Sequence, residues 1–231
     1  MEGTELPEGS ERPEPAVPSP GSVSDYPVTF SVDYPDRQLN RVSTAFRIFA
    51  VIPIAIVSAL LGGGSLGLTH GPGNWGGHVE GIGGLVFLPT LLMIVFRQKY
   101  PRWWYDWNLQ LLRFVTRIGV YVSLMDDRYP STDEQQSVHL DFPYPDAKVD
   151  LDRGMPLVKW LLAIPHYIVL FFLYIGAFFA VIFAWFAILF TGTYPRGIFE
   201  FVEGVIRWHN RVIGYALTLV TDKYPPFRLA P

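Results

Sequence analysis

Two pairs of arginines have the residue type and spacing best suited to chemistry. Arg113 and Arg117 are four residues apart, and so are Arg207 and Arg211. This spacing places both guanidiniums of a pair on one face of a helix. Because a guanidinium offers a planar fork of N–H donors, each pair is suited to bidentate contact with phosphate or carboxylate. The two pairs therefore predict contact with an anionic group.

Three sources can supply the anion that these pairs require. One is the phosphate of an anionic lipid headgroup, and another is a carboxylate on a partner subunit. The third is internal, since Asp106 and Glu200 stand near the start of the two segments that carry the arginines. The sequence leaves lipid contact and internal pairing equally open.

Arg47, Lys159 and His166 are ionisable residues within apolar segments. A charge inside a membrane span is costly, so such a residue is a candidate for function. Arg47 lies near the start of its segment and can extend its long stem to the membrane interface. His166 directly follows Pro165 and can relay a proton or bind an anion. The alternative is a neutral imidazole bonded to the carbonyl that Pro165 leaves without its usual donor.

The remaining polar motifs do not amount to a catalytic or metal site. His70, His78 and Glu80 flank glycines, but their spacing matches no metal pattern, and the chain has no cysteine. There is no Gly-x-Ser-x-Gly turn and no phosphate-binding glycine loop followed by Lys. His209 is a candidate base for lipid chemistry, but no nucleophile accompanies it. The sequence therefore predicts no catalytic residue, no cofactor and no metal.

The composition is typical of a membrane protein with a polar tail. Half of the residues are hydrophobic and only 17% are charged. The net charge of −3 argues against nucleic-acid binding, which needs a basic surface. Residues 1–25 are rich in Pro and Glu and offer little to bury, so we expect a disordered tail.

The hydropathy pattern predicts a mainly α-helical membrane protein with four transmembrane helices. The expected spans cover about residues 42–62, 78–97, 155–173 and 176–192. One helix over the last two would reach roughly 55 Å against a hydrocarbon core of about 30 Å, so we expect a tight turn near 174–176. Amphipathic, interfacial helices are expected over about 102–125 and 196–220. In the second of these, the polar face is formed by Glu200, Glu203, Arg207, Asn210, Arg211 and Gly214.

The sequence aligns with itself as two tandem repeats, over 26–135 and 136–231. A short alternating segment, predicted to be a strand, begins each repeat as VTFSVDYPD and VHLDFPYPD. Further along, matched positions pair Arg47 with Lys159, Pro53 with Pro165, Asp106 with Glu200, Arg113 with Arg207, Arg117 with Arg211 and Asp127 with Asp222. Two spans per repeat give both repeats the same orientation. The distribution of basic residues predicts cytoplasmic termini and cytoplasmic amphipathic helices in the cell membrane.

These motifs resemble a family of uncharacterised bacterial membrane proteins, domain of unknown function 4389. The resemblance is carried by YPD, an apolar helix with IP or IPH, YPR, RWHNRV and LVTDKYPPF, over roughly residues 26–228. It is closer in the second repeat, because Ile54 stands in the first at the position of His166. The resemblance implies a helical membrane fold and no activity.

The sequence favours a non-enzymatic accessory or scaffold subunit that contacts anionic lipid or a membrane-protein partner. One alternative is a small transporter or channel with a polar path near His166. Another is a membrane enzyme acting on lipid, with His166 or His209 as its base. A homo-oligomer is compatible with each hypothesis.

Overall fold

The computed structural model describes residues 26–61, 82–132, 134 and 136–231. The predicted tail and the candidates His70, His78 and Glu80 lie outside the described residues. Helices dominate the described part, as predicted. Its elements are β1 (Thr29–Val32), α1 (Arg41–Leu61), α2 (Ile82–Arg97), α3 (Arg102–Val122), β2 (Val138–Asp141), α4 (Met155–Leu162), α5 (Ile164–Thr191) and α6 (Arg196–Ala216).

The two predicted strands pair with each other as an antiparallel ribbon. Phe30 lies opposite Leu140, and Val32 lies opposite Val138. These four side chains are buried, whereas the alternate residues point outward and are exposed. The alternation of the sequence therefore sets which face of the ribbon joins the core.

The predicted turn at residues 174–176 is wrong, because α5 continues through it from Ile164 to Thr191. The segment offers a single glycine and no polar turn residue, so a helix is the simplest way to satisfy its backbone bonds in apolar surroundings. Gly176 lies inside the helix next to the ring of Phe201, and a Cβ there would make an ordinary contact at 3.5 Å. The helix ends at Gly192, which adopts a left-handed conformation with φ of 77°.

A short break at Ala163 separates α4 from α5. Pro165 falls in the first turn of α5, where its missing N–H removes no necessary bond. Together the two helices cover Met155–Thr191.

Over the described residues, Met155–Thr191 is the one helix long and apolar enough to cross a membrane. Only 17% of its most apolar stretch is buried, whereas the core helix of a soluble protein is mostly buried. The last two of the four predicted spans are thus one apolar segment, interrupted only at Ala163 and called the rod below. The helices α1 and α2 lie where the first two spans were predicted.

Helix α6 runs back along α5 and carries the ribbon on its other side. Phe201 lies at Gly176, and Trp208 lies at His166. The ribbon contacts α6 through β1 and α3 through β2. The main core lies between the ribbon and these two helices.

Candidate functional site

Both arginine pairs line one cleft of about 1140 Å³ between the ribbon, α3 and α6. Arg128 joins them, and the acidic residues of the lining are Asp33, Glu134 and Asp141. The structure therefore brings together two pairs that are far apart in the sequence. The pairs differ in how accessible they are.

The α6 pair is buried and bonded to backbone carbonyls. The Arg207 Nε donates to the Phe30 carbonyl at 2.9 Å, one Nη donates to the Leu229 carbonyl at 2.9 Å, and the other pairs with Glu203. Arg211 donates to the carbonyls of Arg228 at 3.2 Å and Ala230 at 2.9 Å. The part of the polar face of α6 that carries Arg207 and Arg211 is thus covered by β1 and the C-terminal tail.

Arg211 is a buried cation surrounded by other cations. Burial, together with the charges of Arg207 and Arg228, lowers its pKa to about 10. The guanidinium is still protonated at neutral pH, and its Nε is buried without a hydrogen-bond partner among the described residues. An anion in the cleft would face this positive cluster.

The α3 pair is the accessible one. The Arg113 Nε donates to the Leu140 carbonyl at 2.8 Å, and an Nη lies 3.2 Å from Asp141, whose side chain is 69% exposed. The Arg117 Nη1 donates to the Ser131 carbonyl at 2.5 Å. Both guanidiniums are half-buried at the wall of the cleft. They can meet a ligand from solvent without a rearrangement of α6.

Lys159 is fully buried in the second polar cluster of the molecule. Its ammonium lies 2.7 Å from an Asp222 carboxylate oxygen, donates to the Thr221 carbonyl at 2.7 Å, and lies 5.2 Å from the ring centre of Tyr215. A buried charge of this kind is stable only when it is paired and hydrogen-bonded. The contacts attach the segment after α6 to α4.

His166 is also fully buried and lies seven residues after Lys159, near the start of α5. The Trp208 Nε1 donates to its Nδ1 at 3.0 Å, so the ring proton of a neutral imidazole is on Nε2. The ring stacks on Phe227 with centroids 4.0 Å apart. Its Nε2 is buried and has no hydrogen-bond partner within the described part of the chain. The surroundings are those of a packed aromatic cluster.

Three motifs of the C-terminal half meet at the adjoining Lys159 and His166 sites. AIPHYIVL supplies His166, RWHNR supplies Trp208, and TDKYPPF supplies Asp222 and Phe227. Sequence reasoning treated His166 as a lone ionisable residue and missed Trp208 and Phe227 as its neighbours.

Arg47 makes contacts of the same kind as Lys159. Its guanidinium is 2% exposed and forms an ion pair with Asp127. It also donates to the Tyr121 carbonyl at 3.1 Å and the Asp126 carbonyl at 2.8 Å. The predicted extension of its side chain to the interface is therefore wrong, because the group is paired inside the protein.

The other predicted residues lie apart from the cleft and the Lys159 cluster. Asp106 is exposed, with a carboxylate oxygen 3.9 Å from Arg102, and Glu200 is exposed. His209 packs beside Tyr174 with ring centroids 5.7 Å apart, in a groove between α5 and α6. Burial lowers the pKa of His209 to about 4, so its imidazole is neutral at pH 7.

Residues 155–228 match the family model described as Domain of unknown function (DUF4389). The match supports the predicted resemblance over one copy and not over both repeats. The matched segment begins with α4 and ends in the C-terminal tail, so it contains the whole Lys159 and His166 cluster. No curated protein and no solved structure matches the chain.

Proposed function

We propose that this chain is a non-catalytic membrane protein, an accessory or scaffold subunit made of two tandem repeats that binds an anionic group in the arginine cleft. The observation that carries the proposal is the convergence of both arginine pairs on one cleft, in a chain that also has an exposed apolar helix. The anion we favour is the phosphate of an anionic lipid, and a carboxylate of a membrane-protein partner is the alternative.

Reciprocal contacts between the halves support the tandem repeat. Arg113 of the first half bonds the Leu140 carbonyl of the second, and Arg207 of the second bonds the Phe30 carbonyl of the first. Phe30 and Leu140 are paired in the ribbon. Each half therefore lends its strand to the helix of the other.

Three further equivalences follow the same alignment. The Tyr34 hydroxyl donates to the Tyr194 carbonyl at 2.5 Å, and the Tyr144 hydroxyl donates to the Tyr100 carbonyl at 2.6 Å. The turns after α3 and α6 use leucines of positive φ, at 66° and 56°. The leucines of the two turns are Leu124 and Leu219. The ion pairs are also matched, because Arg47 pairs with Asp127 and Lys159 pairs with Asp222.

The exposed apolar surface supports membrane association. Phe171, Phe178 and Phe183 on α5 are each more than 60% exposed, and no polar element covers them in the described structure. A patch of this kind marks contact with membrane or protein. Trp103 and Trp107 on α3 are exposed as well, and tryptophan favours the membrane interface. In this proposal the termini and the cleft lie on the cytoplasmic side.

Liposome flotation with the double variant Arg113→Gln, Arg117→Gln tests the anion proposal. We expect binding to vesicles with anionic lipid to fall by about fivefold or more relative to the native protein, because each basic residue near the surface contributes about 1 kcal/mol, a factor of about five. Vesicles of neutral lipid alone should show no difference between the two proteins.

Arg102→Gln, Arg153→Gln is the matched control, since both residues are exposed and outside the cleft. It removes the same charge and should retain more binding than the cleft variant. Equal losses in the two variants would indicate a diffuse charge effect and would contradict a site in the cleft.

A further inference from the structure

We propose that α4 and α5 lie in the plane of one membrane leaflet as a monotopic anchor, with α6 and the ribbon on its aqueous side, and do not cross the bilayer. The inference rests on the proposed membrane association and adds its geometry. The ligand of this surface is the acyl-chain region of a lipid leaflet.

The apolar face of the rod is too long for a transverse span. Exposed apolar side chains run from Leu157 to Phe190, which is about 50 Å at 1.5 Å per residue. A hydrocarbon core is about 30 Å thick. Crossing it with the whole face buried would require a tilt of roughly 50°, beyond the usual range of about 0–40°. A rod in the plane of the leaflet has no such length limit.

The protein covers only one side of the rod. The buried residues of α5 form a single stripe at spacings of four and seven: His166, Leu170, Ala177, Ala184 and Ile188. This stripe faces α6 and α1, and apolar side chains occupy the remaining surface. A helix that packs on protein along one stripe and exposes apolar side chains elsewhere can lie in an interface with its apolar face in lipid.

Charged groups lie beside the middle of the rod, where a transverse helix would place them at membrane depth. The ribbon sits on the central part of α6, since the Val32 amide donates to Glu203 and the Phe30 carbonyl accepts from Arg207. The side chains of Asp33, His139 and Asp141 on its outer face are 68%, 59% and 69% exposed. Exposed ionisable groups in hydrocarbon are disfavoured, and in the in-plane arrangement they lie in the headgroup and aqueous region.

Both ends of the rod are attached to charged surface segments of this same layer. At the start, the Asp152 amide donates to Asp222 at 2.7 Å, and Lys159 binds the same carboxylate. At the end, the Gly192 carbonyl accepts from the Leu39 amide at 2.9 Å, next to Arg41. Helix α6 joins the two ends. Polar segments therefore contact both ends of the rod, and α6 lies along the part between them.

Single-cysteine labelling can test this geometry directly, because the chain has no cysteine of its own. Arg153→Cys and Thr193→Cys place a thiol at each end of the rod, and Ser31→Cys places one on the ribbon. All three positions are exposed. Each variant is treated with a membrane-impermeant maleimide in right-side-out and inside-out vesicles, after its size-exclusion profile is matched to that of the native protein.

We expect all three thiols to react from the same, cytoplasmic side of the vesicle. Reaction of the Arg153→Cys and Thr193→Cys variants from opposite sides would overturn the in-plane anchor and leave membrane association intact. Recovery of the protein in the soluble fraction after vesicle preparation would overturn the proposed function as well.

Fluorescence quenching by lipids labelled at defined depths supplies a second measurement. Probes on Leu161→Cys, Ile175→Cys and Phe190→Cys should report similar depths if the rod lies in the leaflet. A maximum at position 175, with shallow ends, would indicate a span and overturn the inference.

Discussion

At the scale of single residues, the buried cations are held by the segments that follow α3 and α6. Arg47 pairs with Asp127, and Lys159 pairs with Asp222. In each case the guanidinium or ammonium also binds backbone carbonyls of the same segment. Such a pair contributes little net stability compared with apolar packing, but removal of one partner leaves an uncompensated buried charge.

Lys159→Ala should therefore destabilise the protein by on the order of 3–5 kcal/mol, because the carboxylate of Asp222 loses its counter-ion. The measurement is thermal or denaturant unfolding in detergent. Arg153→Ala, an exposed cation six residues earlier, should change stability by less than about 0.5 kcal/mol.

The double variant Lys159→Met, Asp222→Asn tests the cause. It should recover much of the loss, since no charge is left buried. If the double variant is as unstable as Lys159→Ala, the packing of the lysine stem and not its charge would explain the effect.

At the scale of elements, α6 depends on glycines where other segments cross it closely. A Cβ on Gly214 would lie 2.7 Å from a methyl of Val28, next to β1. A Cβ on Gly204 would lie 2.9 Å from Leu229 of the C-terminal tail. The helix thus includes two positions whose small size lets neighbouring segments approach, and that role could not be derived from amphipathicity.

Gly214→Ala should destabilise the protein by about 1–3 kcal/mol, since the added methyl overpacks the contact with Val28. Gly197→Ala is the matched control, because its Cβ would meet nothing within 4 Å. The control should be neutral or stabilising by up to about 1 kcal/mol through helix propensity. Equal effects in unfolding experiments would contradict the close approach of the first strand to α6.

The continuity of α5 predicts a long distance between residues at the two ends of the rod. Spin labels at Leu161 and Phe190, both exposed, should be about 40 Å apart in a rod with a rise of 1.5 Å per residue. A hairpin with a turn near 174–176 would bring them to roughly 10 Å, the separation of packed helices. Double electron–electron resonance on the double-cysteine variant distinguishes the two, and a short distance would restore the hairpin.

At the scale of the whole molecule, the two halves depend on each other through their exchanged strands. The first strand packs on α6, and the second packs on α3. Without the other half, α6 would lack β1 and expose its buried arginines. In the same way, α3 would lack β2 and expose its buried tyrosines.

Co-expression of residues 1–132 and 136–231 as separate chains should therefore yield a stable complex. Each half expressed alone should aggregate or be degraded, because its amphipathic helix lacks the partner strand. The measurement is co-purification through a tag on one half. Arg207→Ala should reduce the amount of the other half that co-purifies, because it removes a bond between the halves. Stable, monomeric halves would contradict the exchange.

Much of the helical architecture followed from the sequence because it depends on local patterns. Apolar runs and amphipathic periodicity located α1, α2, α3 and α6, and alternation located both strands. Self-alignment matched the residues that form equivalent contacts, Arg47 with Lys159 and Arg113 with Arg207. These signals are local or repeated, so one sequence contains them.

Tertiary structure decided what each polar residue faces. Periodicity placed Arg207 and Arg211 on one side of α6 but could not say that β1 and the tail cover that side, since long-range packing sets burial. The turn in α5 was predicted from bilayer thickness, an argument that assumed a transverse helix. The sequence alone determined where the helices and matched residues lie. Only the packed chain joined the four arginines in one cleft and enclosed His166 among aromatic rings, because these contacts join segments distant in sequence.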